Sequence, residues 1–181
     1  MFMTAKSVRR VIVTLGALLS CLCLCQGAFA VGVQPFLCAS QSDGSVVRWV
    51  NVQGHNAIGI TIRQRNDQGG GKLEGLQEVP GNSVVSVITI PSSTSSNVIV
   101  QLALKTSTNQ VLLVGPTSTS GTTYNWNLAQ YGLTSSQKIA KMAIFARNTT
   151  GMPGSIFLRH FVLNGSHLTD EITPTAGCLS Y

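Results

Sequence analysis

The sequence has 181 residues, with 12 lysines and arginines against 6 aspartates and glutamates, a formal net charge of +6. Three of the basic residues (Lys6, Arg9 and Arg10) stand at the N-terminus, and without the first 30 residues the balance falls to nine against six. No basic stripe runs along the rest, so nucleic acid is not implied. Sparse charge with abundant Gly, Ser, Thr and Asn suits an all-β domain better than a helical one.

Met1 to Arg10 is basic without an acid, Val11 to Cys25 is apolar and uncharged, and Ala28-Phe29-Ala30 supplies small residues at both key positions of a cleavage site. This is the pattern of a signal peptide over residues 1–30, removed after Ala30. A membrane anchor competes, since Val11 to Val33 carries no formal charge and is long enough to span. Gln26, Gly27 and the A-x-A ending favour removal. Leu18-Leu19-Ser20-Cys21 resembles a lipobox and ranks second; it would leave a lipid on Cys21 and hold the protein at a membrane. A secreted, periplasmic or extracellular protein is expected, with one domain over residues 31–181. Of the five cysteines, Cys38 and Cys178 remain after cleavage. In an oxidising compartment they are expected to form a disulfide joining the two ends of the domain.

Val46 to Val52 is β-branched and aromatic. One face carries Val46, Arg48, Val50 and Val52, and the other Val47, Trp49 and Asn51. After Gly54-His55-Asn56, the run Ile58 to Arg65 alternates, with Ile58, Ile60 and Ile62 inward and Thr61, Arg63 and Arg65 outward. Asn66 to Lys72 (N-D-Q-G-G-G-K) reads as a hairpin loop. It is not a phosphate-binding loop, because Leu73 stands where Ser or Thr would follow the lysine. Glu74 to Asn82 is loop-like. Strands are expected at Val84–Ile90, Val98–Lys105 and Gln110–Val114, with Ser/Thr-rich punctuation between them.

The stretch Thr122 to Gly165 follows as strand, loop, strand, loop, strand. Tyr124, Trp126 and Leu128 share a face, with Asn125 and Asn127 opposite. Leu128 to Lys138 is the one segment able to host a helical turn. His167 to Tyr181 reads as a tail. About eight short strands separated by polar turns predict an antiparallel β-sandwich or barrel.

With the strands placed, Tyr124-x-Trp126-x-Leu128, Ile144 to Arg147 and Phe157 to Leu163 together resemble the second half of a galactose-binding-like jelly roll, a fold common among carbohydrate-binding modules. The resemblance covers Asn97 to Gly165, and Phe36 to Ile62 more loosely. It implies a jelly-roll sandwich and a glycan ligand. Such modules often hold a structural calcium through acids in the first and last strands. Phe36-Leu37 and Leu158 to Phe161 offer none, so no metal or cofactor is expected.

Sugar rings present apolar C–H faces to aromatic side chains, while Asn, Gln or Arg bond their hydroxyls. Trp49, Tyr124, Trp126 and Tyr131 are the aromatic candidates, with Arg63, Arg147 and Arg159 as polar partners. Strand tryptophans usually belong to a core. Trp126, sharing its face with Leu128, reads as core, and Trp49, flanked by Arg48, as the better ligand contact. Of the six acids after residue 30 (Asp43, Asp67, Glu74, Glu78, Asp170, Glu171), Asp43 and Asp67 sit in turn-like segments, and Glu74 and Glu78 could pair only if their loop brings them together. His167 with Asp170 and Glu171 lacks a third ligand group, and no G-x-S-x-G elbow occurs. Asn148-Thr149-Thr150 and Asn164-Gly165-Ser166 are sequons. The expectation is a non-catalytic module binding a glycan. A secreted structural or adhesive protein with a surface-protein partner comes next, and a small glycan-active enzyme last.

Overall fold

The computed structural model describes residues 32–36, 44–74, 76 and 79–168. The expected signal segment, Cys21, Cys38 and Cys178 lie outside the described residues, as does the disulfide expected of the last two.

Among the described residues, thirteen strands form two antiparallel sheets. One, sheet A, is built from β1 (Gly32–Phe36), β4 (Gln68–Glu74), β11 (Lys138–Asn148), β7 (Val98–Thr106) and β8 (Val111–Val114), in that order, with the short β5 (Val79–Pro80) beside β11. The other, sheet B, runs β2 (Ser45–Val52), β3 (His55–Ile62), β12 (Gly154–Leu163), β6 (Val84–Pro91), β10 (Thr123–Asn127) and β9 (Ser118–Ser120), with β13 (Ser166–His167) on β12. Hairpins stay within a sheet, while β1–β2, β3–β4, β5–β6, β6–β7, β8–β9, β10–β11 and β11–β12 cross between sheets. Crossings of this kind belong to Greek-key and jelly-roll sandwiches. The helical turn expected after Leu128 is a 3-10 turn over Leu128–Tyr131, with the Asn127 side chain accepting from Ala129 N–H.

Alternation decides which side chains fill the core. Val47, Ile58, Ile60, Ile62, Val85, Val87, Trp126, Ile156, Leu158 and Phe161 face inward from sheet B; Leu73, Val100, Leu102, Leu104, Ile139, Met142 and Ile144 meet them from sheet A. Each such side chain contributes about 1.5–3 kcal/mol when fully buried. Trp126 is completely enclosed. Its indole N–H donates to the Val114 carbonyl at 3.2 Å, tying sheet B to the edge of sheet A. Tyr131 reinforces that seam by donating to the Gly115 carbonyl. On the opposite side, the Ser45 hydroxyl donates to the Gln68 carbonyl at 3.0 Å.

The main departure from the sequence reading is β4. The triple-glycine segment is not a loop but an interior strand, paired with β1 and β11. Its glycines serve packing. A Cβ on Gly69 would lie 2.5 Å from Val47 Cγ2 and 3.2 Å from Ile60 Cγ2, so the sheets approach closely there because Gly69 has no side chain. A Cβ on Gly70 would fall on the backbone of Ile144 and Phe145. Phe145 stands directly across from Gly70 and is buried on the outer side of sheet A with Ala103 and Ala143. An aromatic opposite a strand glycine covers the backbone that glycine leaves bare.

The loops that follow β3 and β11 lock together. Asn66 N–H donates to the Asn148 carbonyl at 3.1 Å and Asn148 N–H to the Asp67 carbonyl at 3.0 Å. The Asn148 side chain is fully buried. Its Nδ2 donates to the Met152 and Ile62 carbonyls, and its Oδ1 accepts from Thr150 and Gly151 N–H. The sequon at Asn148 is therefore closed to a glycosylating enzyme once the domain has folded.

Candidate functional site

A β-bulge in β12 organises the outer face of sheet B. Leu158 pairs with Thr89 and His160 with Ile88, leaving Arg159 as the extra residue. Leu158 and Phe161 are both buried in the core. Strict alternation would send Arg159 and His160 to opposite faces. The bulge places both outside, because an extra residue re-phases the strand that contains it.

Two tight turns bring partners to this pair. Gln53 and Gly54 connect β2 to β3 with positive φ at both positions (55° and 80°), and Asn164 and Gly165 connect β12 to β13 likewise (49° and 81°). These are the dihedral signs of the two-residue hairpin that matches strand twist. The first turn is followed at once by His55, whose Nδ1 lies 2.9 Å from Arg159 Nη2. The second folds β13 back along the edge of β12 that β3 has left, setting His167 opposite Val162. The His167 ring meets His160 edge to face, with centroids 5.3 Å apart. All three histidines of the sequence thus gather around one bulge.

The register carries the face outward in rows. One row reads Ser118, Asn125, Ser86, Val162, His167 across five neighbouring strands. Within it, the Ser86 hydroxyl donates to Asn125 Oδ1 at 2.7 Å, and Asn125 Nδ2 reaches the Ser118 hydroxyl at 3.5 Å. The next row carries Thr123, Ile88 and His160. A third reads Ile90, Phe157, Gly59, Arg48. Gly59 opens that row, since a Cβ there would touch Val50 at 3.1 Å and Phe157 at 3.4 Å. Phe157 is half-buried and Arg48 exposed.

The donor set has a defined polarity. A guanidinium only donates, so His55 Nδ1 must accept from it. That fixes the tautomer with the proton on Nε2, and His55 is an exposed residue. Arg159 Nε is buried with no hydrogen-bond partner among the described residues. The only acidic side chain described is Asp67, buried in the β3–β4 loop beside Gly44. Among the described residues, no three His, Cys, Asp or Glu side chains converge as metal ligands would.

The residues singled out from the sequence fall into four places. Trp49 is half-buried on the edge strand β2, packed against the core on the side of Val47. Its Nε1 is buried without a hydrogen-bond partner among the described residues. Tyr124 also packs against the core, and Tyr131 closes the seam at β8. Burial pushes the Tyr131 phenol above its ordinary pKa. Arg63 lies exposed after β3, and Arg147 donates to Asn66 Oδ1 at 2.9 Å, both at the β3–β4 loop. Of the six candidates, Arg159 alone stands at the bulge. His55, His160, His167, Phe157 and Asn125 were not among the expected ligand contacts. The Asn164-Gly165 dipeptide is a strong hairpin signal and, read so, returns His167 to β12.

No family model matches the chain, and no curated protein does. Among solved structures, it is similar to the family 11 carbohydrate-binding module of the cellulosomal cellulase Lic26A-Cel5E of Clostridium thermocellum. The identity is 12% over 78% of this chain and 91% of that one, with a TM-score of 0.45. An exo-β-agarase matches at 8% identity over 75% of this chain and 22% of its own, with a TM-score of 0.41. Carbohydrate-binding modules of the β-sandwich superfamily match at 16% identity over 74% and 57%, with a TM-score of 0.39. At this distance, what the face can bind is set by its own residues.

Proposed function

We propose that the protein is a glycan-binding module whose ligand lies across the strands on the outer face of sheet B. The row from Ser118 to His167 is the observation that carries this reading. Neighbouring strands are about 4.8 Å apart, so the row spans about 20 Å, with polar side chains on four of its five strands and Val162 on the other. That spacing is close to the rise per residue of an extended polysaccharide, and it lets successive sugars meet successive strands. The groups are suited to the task. Asn125 and Ser86 bond hydroxyls, and the half-buried Phe157 ring offers an apolar platform for a sugar C–H face. Arginine and histidine N–H groups supply further donors. They form a binding surface rather than a paired acid and base.

The module meets its ligand outside the cytoplasm, after export and removal of residues 1–30, with Cys38 and Cys178 paired. Mass analysis of the secreted protein under non-reducing conditions tests both points: a mature chain beginning at Val31 without free thiols is expected. Affinity electrophoresis through gels containing soluble polysaccharides tests the binding itself. Retardation by at least one polymer, lost in Phe157→Ala and Asn125→Ala, is expected. A chain that migrates freely through every gel contradicts the reading.

A further inference from the structure

We infer that this face selects an acidic glycan and seats its carboxylate or sulfate on Arg159 and His55. The inference rests on the glycan reading above and narrows it. Around the bulge the one acceptor of fixed role, His55 Nδ1, is taken by Arg159, and the other groups of fixed role are donors. Arg159 presents a guanidinium whose Nη2 is held by His55 Nδ1 at 2.9 Å and whose Nε is buried without a partner among the described residues. His55, with Nδ1 accepting, offers its Nε2 proton outward. A neutral hydroxyl both donates and accepts, and it leaves such a cluster without a strong acceptor. An ionised carboxylate or sulfate only accepts, and it suits a guanidinium fork geometrically as well as electrostatically.

Three further features agree. Arg159 is itself the inserted residue of the bulge in β12, so the cation is built into the strand geometry and not carried on a loop. His55 is set by the Gln53-Gly54 turn. Arg48 lies two rows from His167 on the same face, and no described acidic side chain stands there to neutralise them. Sheet A also carries cations on its outer side: Lys105 and Lys141 pair directly across β7 and β11. These are lysines, point charges on flexible stems without a planar fork, beside the buried Ala143 and Phe145, and they serve as the internal control.

The test is affinity electrophoresis of the full mature chain against matched pairs of polymers. Dextran sulfate is compared with dextran, and polygalacturonate with its methyl ester. Each pair keeps the sugar and removes the charge. At least one anionic member should retard the protein about tenfold or more beyond its neutral partner, the effect of one charge-assisted pair, and added salt should weaken the retardation. The retarding series tells sulfate from carboxylate. Arg159→Gln and His55→Gln should remove most of the difference while melting as the parent does; Lys105→Gln with Lys141→Gln should leave it unchanged. If neutral and anionic partners retard alike, the inference falls and glycan binding stands. If no polymer retards the chain, both fall. If the sheet A variant loses as much as Arg159→Gln, the attraction is that of a generally basic surface and the inference is overturned.

Discussion

Gly69→Ala tests whether the glycines of β4 are there for packing. The new methyl would lie 2.5 Å from Val47 Cγ2, where a relaxed carbon–carbon contact is about 3.5–4.0 Å. Val47 is buried and β-branched, with few rotamers to escape into. Overpacking of this kind costs about 1–3 kcal/mol. Against it, alanine restricts the unfolded chain and returns about 0.4–1 kcal/mol. The net expectation is a loss of about 1–2 kcal/mol in urea-unfolding free energy, with an unchanged m-value. The decisive comparison is the same change in a Val47→Ala background. There the obstructing methyl is gone and Gly69→Ala should be neutral or mildly stabilising, giving a coupling energy of about 1–3 kcal/mol. An equal loss in both backgrounds, or a gain in the parent, would refute the close approach of the sheets at Gly69.

Deleting Arg159 should restore strict alternation, with Leu158 and Phe161 still inward; the domain should fold within about 1 kcal/mol of the parent, yet polysaccharide retardation should drop to background. Trp126→Phe removes the N–H that donates to the Val114 carbonyl and leaves a void beside it, so urea unfolding should show a loss of about 2–4 kcal/mol. Asn148→Ala removes a buried side chain with four hydrogen bonds and should cost about 2–4 kcal/mol; in a glycosylating host, peptide mass mapping should find Asn148 unmodified. The Tyr131 phenol ionises at higher pH folded than unfolded, chiefly through burial. The unfolded chain therefore binds fewer protons as pH rises above about 10, and stability falls there. A melting series above pH 10 should show a shallower decline in Tyr131→Phe than in the parent.

The layers of the fold were legible wherever one face of a strand is buried and the other wet. Ile58, Ile60 and Ile62 alternate with outward residues in the sequence and do so in the sandwich. The Trp126–Leu128 pairing identified a core anchor, and both residues are fully buried. Strand β4 was illegible because glycine is ordinarily turn punctuation. Here it answers a demand that comes from two other strands, Val47 of β2 and Phe145 of β11, and local pattern cannot carry that information.

The candidate site was hidden for a related reason. Alternation through Phe157 to Leu163 separates Arg159 from His160, and only the extra residue revealed by pairing with β6 puts them together. His55 and His167 are 112 positions apart in sequence. Two turns, each placed by its own Gly with a preceding Gln or Asn in the left-handed region, return them to the same bulge. Trp49 drew attention through its flanking polar residues, and on the edge strand its ring lies against the core.

The most direct measurement is amide chemical-shift mapping of the labelled domain with an oligosaccharide cut from whichever polymer retards it. The account predicts that the largest shifts cluster at His55, Asn125, Phe157, Arg159, His160 and Val162. Shifts concentrated at Lys72, Ala103, Lys105 and Phe145 on sheet A, or spread evenly over both faces, would contradict it.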